Sequence, residues 1–465
     1  MKRKHIIKKE KGTAALAVTV TLCTLLLLGL MMVTVVLTSA TSGILNNASI
    51  LDPAALLSEE ESGAASIQNS IIPAFIGIAS EDSRMGISAG DNVIRELYSL
   101  LSPCLVHGLR TEPVLMEASD WENAISSYPY VFIQYHTPMP LEFLQATGAE
   151  EANQMTVGET TLLVDSLFLQ PENSAGEVCL LVKTADGTVL RYICEPEKQE
   201  EYPSMGKLTQ WVQNFSNNFY RFTLRTHGLT TEPVFLERIR VQNAALAEGS
   251  LDILENNENH MARFLRFLDF NPDKLSRHEE SDGTKVLVET HGVLQYRDNR
   301  YRYTASSEGG VDIGNVIGYK KYYTVYDVIR TACTIAERLR SASQYYLGGE
   351  AEVILTSCTT AEDTTTLTFS YAFDNLLISG SEPAIVLTVS KDYRILSLQL
   401  TAITVTGWGE YRTVYTESGV WDQKTSQNSS IFLTYPLDVY TEAVFPIWTE
   451  CTVKDSVTGT EEFNS

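Results

Sequence analysis

The sequence predicts an α+β protein with antiparallel sheets, arranged as two or three folded domains behind a single N-terminal transmembrane helix. Three observations lead there. One uncharged apolar stretch is long enough to span a bilayer, much of the remaining chain alternates apolar and polar residues at period two, and helical periodicity is confined to a few segments between those runs. The 465 residues, 44% of them hydrophobic, suffice for more than one buried core.

The first element is the anchor. Lys2, Arg3, Lys4, Lys8, Lys9 and Lys11 face a single acid, Glu10, and the next charged residue is Asp52. Residues 14–37 carry no charge over 24 positions, which at about 1.5 Å per residue exceeds a hydrocarbon core of about 30 Å. Lys and Arg stay on the cytoplasmic side, so residues 1–11 form a cytoplasmic tail, 12–38 the membrane helix, and the bulk lies outside the cytoplasm. The small residues Thr38, Ser39 and Ala40 resemble a signal-peptidase site, but a signal core spans only about 7–15 residues, so the reading is a retained single-pass anchor in the cell membrane. On that helix Ala14, Ala17, Thr21 and Thr24 form a small, weakly polar stripe suited to docking a second membrane helix; the bland alternative is threonine bonding its own backbone.

The formal net charge is −23, and setting aside the tail's six bases and one acid leaves 29 Lys and Arg against 57 Asp and Glu. Such a surface is a poor match for nucleic acid or anionic lipid, and the charge serves solubility first.

Residues 39–70, which include Ser58-Glu59-Glu60-Glu61-Ser62, read as a stalk. A first α+β domain is expected over 71–200: an apolar run at 71–78, a helix over 93–105, strands at 130–135 and 160–169, and a hairpin from Cys179 to Cys194. Residues 201–280 read as a helical middle region with helices over 205–220 and 260–270. The C-terminal α+β domain, 281–465, opens with strand signal at 285–296. Its helix at 324–341 carries Val325, Val328, Ile329, Ala332, Ile335, Ala336 and Leu339 on one face, capped by Thr324. Strands follow at 351–357, 364–371, 385–389 and 395–405.

One internal echo stands out. His107-Gly108-Leu109-Arg110-Thr111-Glu112-Pro113-Val114 returns as His227-Gly228-Leu229-Thr230-Thr231-Glu232-Pro233-Val234. Gly after a helical pattern and Pro a few residues later predict a repeated helix-to-strand junction. The two histidines fit helix C-caps better than metal ligation, because no His and carboxylate partners are arranged beside them.

Among the seven cysteines, one pair is testable by counting. If Asp186-Gly187 forms a two-residue turn, Cys179 lies opposite Cys194, at a spacing a disulfide allows; two buried thiols are the alternative. No zinc-type Cys/His spacing occurs, and no cofactor or metal is expected.

The search for chemistry is mostly negative. HExxH, GxSxG, Walker A, a strand-linked GxGxxG and an EF-hand loop are absent. Ser204-Met205-Gly206-Lys207 matches S-x-x-K, the serine-activation pattern of penicillin-recognising enzymes, but no KTG follows, and Ser204 also sits where an N-cap belongs. The tyrosines at 301–303 and 322–326 can be read as a saccharide platform or as residues at a core edge. No catalytic residue is assigned.

Several local patterns resemble the YycH family. They are Glu117-Ala-Ser-Asp120-Trp121-Glu122-Asn-Ala-Ile125, then Tyr130-Val-Phe-Ile-Gln-Tyr135, then Pro138-Met-Pro140-Leu141-Glu-Phe-Leu144, and further on Asp282-Gly283 leading to His291-Gly292-Val293-Leu294-Gln295-Tyr296. The resemblance covers about residues 85–406. It implies a non-enzymatic regulator of the WalK sensor histidine kinase, controlling cell-wall homeostasis in Gram-positive bacteria. Its implied partners are that kinase and a YycI-like membrane protein. A cell-surface binding module for glycan or peptide, or an extracytoplasmic serine hydrolase, are the readings that compete with it.

Overall fold

Extended runs of Val, Ile, Phe and Tyr, broken by Gly, Asp and Asn at turns, dominate the chain, and strands dominate its fold. The computed structural model describes residues 70–88, 93–146, 162–170, 177–194, 202–227, 230–248, 258–298, 300–306, 309–347, 351–361, 363–380, 382–414, 429–436 and 444–452. No helix among these is long and apolar enough to cross a membrane. The expected anchor, with Ala14, Ala17, Thr21 and Thr24, lies outside the described residues.

The first half is a nine-stranded antiparallel sheet. Its strands are β1 (Pro73–Ala79), β2 (Arg84–Ser88), β3 (Val114–Met116), β4 (Tyr130–Pro140), β5 (Leu163–Gln170), β6 (Cys179–Thr184), β7 (Val189–Ile193), β8 (Tyr220–His227) and β9 (Thr230–Phe235). They lie in the order β3-β7-β6-β5-β4-β1-β2-β8-β9. Four helices join them: α1 (Val93–Gly108), α2 (Ala118–Ser126), α3 (Leu141–Ala146) and α4 (Met205–Asn214). α1 packs Ile94, Leu97, Leu101, Cys104 and Leu105 into the core, at the helical spacing that its sequence shows.

β10 (Ile239–Glu248) and α5 (Glu258–Phe267) lead into the second half. There a twelve-stranded sheet contains β11 (Ser276–Glu279), β12 (Lys285–Glu289), β13 (Gly292–Arg297), β14 (Arg300–Ala305), β15 (Val311–Asp312), β16 (Glu352–Ala361), β17 (Thr364–Phe373), β18 (Leu376–Ser379), β19 (Ile385–Ser390) and β20 (Arg394–Thr401). β21 (Ile403–Val414) continues from β20 and pairs with β10, while β22 (Ser429–Pro436) and β23 (Ile447–Thr452) complete the larger sheet. Between β15 and β16 come α6 (Gly314–Ile317) and α7 (Val325–Leu347). Val325, Val328, Ile329, Ala332, Ile335 and Ala336 of α7 are buried, as its apolar stripe requires. At its start the Asp327 carboxylate does the capping: its Oδ2 accepts the Thr324 backbone N–H at 3.0 Å and the Thr324 hydroxyl at 3.3 Å, so the Thr324 side chain donates there and does not act as the accepting cap expected from the sequence.

The halves are joined along a seam, and the described residues form one compact unit. Arg95 of α1 pairs with Glu352 at 2.8 Å and donates to Asn375 Oδ1 at 2.9 Å, and Asn375 N–H donates back to Glu352 at 3.2 Å. The Tyr435 hydroxyl on β22 donates to the Gln242 carbonyl on β10 at 2.7 Å.

Three expectations are corrected. Between the two helices of 201–280 lie three strands, β8 to β10, and two of them extend the first sheet. The second copy of the echo is a β8–β9 hairpin rather than a helix end, with His227 paired to Thr230. The Asp186-Gly187 turn is a three-residue loop, closed by Thr184 N–H to Thr188 O at 2.9 Å. Gly187 takes φ 88° there, and Asp186 Oδ1 accepts the Thr188 N–H at 3.1 Å, so only Gly need enter the left-handed region, where a type I′ turn needs both residues there. The register therefore shifts by one, and Cys179 faces Ile193. A one-residue shift puts Cys179 and Cys194 on opposite faces of the ladder, which rules out a bond between them.

Candidate functional site

Three apolar strands of the first sheet are each interrupted by polar side chains: Gln134 in β4, Asp165-Ser166 in β5 and Lys183 in β6. The ladder aligns them. Gln134 pairs with Ser166 and Ser166 with Lys183, so the three share one face. Register shifts fall beside them in both ladders, between Gln134 and Met139 and between Val164 and Ser166. Bulges of this kind re-aim side chains and occur beside functional sites.

Thr231 of β9 closes over this row. The Trp121 indole Nε1–H donates to Thr231 Oγ1 at 2.9 Å, Lys183 Nζ donates to the same oxygen at 3.4 Å, and the Gln134 amide reaches the Thr231 carbonyl at 3.5 Å. The contact between β9 and β6 means that the sheet curls until its last strand returns over its middle. Lys183 Nζ also stands 5.3 Å from the centre of the Trp121 ring, which stabilises a cation there. Burial lowers the Lys183 pKa, and the carboxylates of Asp165 and Glu122 act against that shift. Ser166 Oγ donates to Asp165 Oδ2 at 3.1 Å. Gln134, Ser166, Lys183 and Thr231 are all buried. In this geometry the polar groups satisfy one another, and their work is to hold β9 and α2 on the sheet face.

His136 is two residues beyond Gln134, 8% exposed, and neither ring nitrogen has a hydrogen-bond partner. Its ring faces Phe432 of β22 across the seam at 5.4 Å. Burial lowers its pKa to about 4.

The residues singled out from the sequence are dispersed. Ser204 is the N-cap of α4, its Oγ accepting the Lys207 N–H at 3.4 Å, the capping role that competed with catalysis. His107 lies in the last turn of α1, its ring 6.2 Å from that of Tyr202. Tyr301, Tyr303 and Tyr326 are core residues, whereas Tyr322 is 75% exposed. Among the described residues no group of three or more His, Cys, Asp or Glu is placed to hold a metal ion. Cys179 donates to Gln170 Oε1 at 3.1 Å, while Cys194 points to the Cys104 carbonyl at 3.7 Å.

No protein-family model matches the chain, and no curated protein matches it. Among solved structures, that of YycH from Bacillus subtilis superposes with a TM-score of 0.53 at 12% identity, covering 85% of this chain and 96% of that one. The fold is similar to that of YycH. At this identity it is a likeness of fold alone. An uncharacterized protein from Eubacterium rectale matches at 12% identity over 45% of this chain and 76% of its own, with a TM-score of 0.30.

Proposed function

We propose that this chain is a membrane-anchored, non-enzymatic regulator of a two-component sensor histidine kinase that controls cell-wall homeostasis, acting by protein contact through its anchor and its extracytoplasmic part. The observation that carries the reading is the YycH-like architecture, shared over 96% of that chain. The residue patterns around Trp121 and His291 that resemble the YycH family support it. The partners are the kinase and a YycI-like membrane protein.

The mechanism needs only modest energies. A regulator that binds one signalling state of the kinase about tenfold more tightly than the other shifts their ratio tenfold, a differential of about 1.4 kcal/mol. Confinement of both proteins to one membrane raises their effective concentration, so weak contacts suffice. The stripe Ala14, Ala17, Thr21 and Thr24 would supply the helix-packing share of that differential.

Co-purification tests this. The tagged full-length chain is solubilised from its membrane beside a variant whose residues 12–38 are replaced by an unrelated membrane helix. Enrichment of a sensor kinase with the first and its loss or weakening with the second supports the reading. If neither brings down a membrane protein, the regulatory reading fails.

A further inference from the structure

The β6–β7 register turns Cys194 away from Cys179 and towards α1. Its sulfur lies 3.7 Å from the Cys104 carbonyl oxygen, and a Cβ added to Gly108 would meet that sulfur at 2.8 Å. Cys104 and Gly108 are four residues apart on α1 and so share one face of the helix. Gly108 leaves the space that the sulfur occupies. Cys104 and Cys194 are 0% and 3% exposed. Burial raises the Cys104 thiol well above its ordinary range, and Cys194 is the side chain that adds to the effect. Both are free thiols in this structure, with the Cys194 S–H donating to the Cys104 carbonyl.

We propose that Cys104 and Cys194 form a disulfide in the folded protein, a covalent staple between the C-terminal turns of α1 and the end of β7. The proposal rests on the extracytoplasmic placement for its oxidant, a thiol–disulfide oxidoreductase in its disulfide form. The two thiols give up two protons and two electrons as the S–S bond forms, and the oxidant's own disulfide is cleaved to a dithiol that takes them. Exchange occurs while α1 is docking, before the site closes; burial then shields the bond from reductant. α1 also carries Arg95, which pairs with Glu352 and Asn375 across the seam, so the staple fixes the helix that latches the two halves. Cys179, on the opposite face, is left out.

Differential alkylation reads the pairing directly. The full-length chain is taken from its membrane without reductant, denatured and blocked with N-ethylmaleimide, then reduced and labelled with iodoacetamide before peptide mass spectrometry. Cys104 and Cys194 are expected to carry the second label, at least about tenfold above Cys179. Cys179→Ser should keep that pattern, and Cys104→Ser should move Cys194 to the first label. A second arm refolds the reduced full-length chain in detergent with oxidised glutathione. Bond formation in that arm alone sustains the pairing and overturns the extracytoplasmic placement. First label on both cysteines in both arms, from a refolded chain with the native circular-dichroism spectrum, overturns the proposal.

Discussion

At one edge of the nine-stranded sheet, Thr111-Glu112-Pro113-Val114 runs into β3, with Val114 54% and Leu115 73% exposed. At the other edge, Thr231-Glu232-Pro233-Val234 lies in β9, with Thr231 fully buried and Val234 only 6% exposed. The same four residues thus meet opposite surroundings. Pro suits both places, because an edge strand can do without its N–H. What differs is supplied from far along the chain: Trp121, Gln134 and Lys183 converge on Thr231, whereas Thr111 Oγ1 only donates to the Gly108 carbonyl at 2.8 Å. Local sequence sets the edge character, and long-range packing decides which edge is closed.

The matched threonines give the largest test of that difference. Thr231→Val strands a buried indole N–H and a buried ammonium, so it should cost about 2–3 kcal/mol, against under about 1 kcal/mol for Thr111→Val. Urea unfolding of the full chain measures both, and equal losses would break the comparison.

Acid should act next, at the seam. His136 has a folded pKa of about 4 against an unfolded value near 6.5, so on acidification the unfolded chain takes up the proton first. Its contribution is intact above about pH 6.5 and is lost as the pH falls towards 4. Between pH 7 and 5 the loss is about 2 kcal/mol, and His136→Phe should remove that share of the acid sensitivity. An unchanged pH profile of stability in the variant would mean that His136 is hydrated or partnered in solution.

The apolar residues of the two edges give the smallest contrast. Val234→Ala, at a buried position, should cost about 1–2 kcal/mol, while Leu115→Ser should stay within about 0.5 kcal/mol of the parent. A large loss from Leu115→Ser would show that β3 is covered in the intact protein.

The elements legible in the sequence are those with strong local signals. The stripe on α7, the helix that becomes α1, and the apolar runs of β4 and β5 all carry their own periodicity. β10 does not: Ile239 to Glu248 is rich in alanine and becomes a strand because β21 pairs along it from Ile403 onward. β8, with Arg221, Arg225 and His227, hides in the same way behind charge. The hairpin at Asp186 was visible but not its register, since the choice between a two- and a three-residue loop turns on whether Asp186 accepts the Thr188 N–H. The polar row had a signal, namely single polar residues inside the apolar runs at Gln134, Asp165-Ser166 and Lys183. That they converge beneath Thr231 depends on the curl of the sheet, which no single run encodes.

Regulation by contact is measured by the autophosphorylation of the cell-wall sensor kinase in membranes that contain the full-length chain, its anchor-replaced variant, or neither. The rate should change when the full-length chain is present and return towards the chain-free value with the variant. One rate in all three membranes, at matched kinase levels, would contradict it.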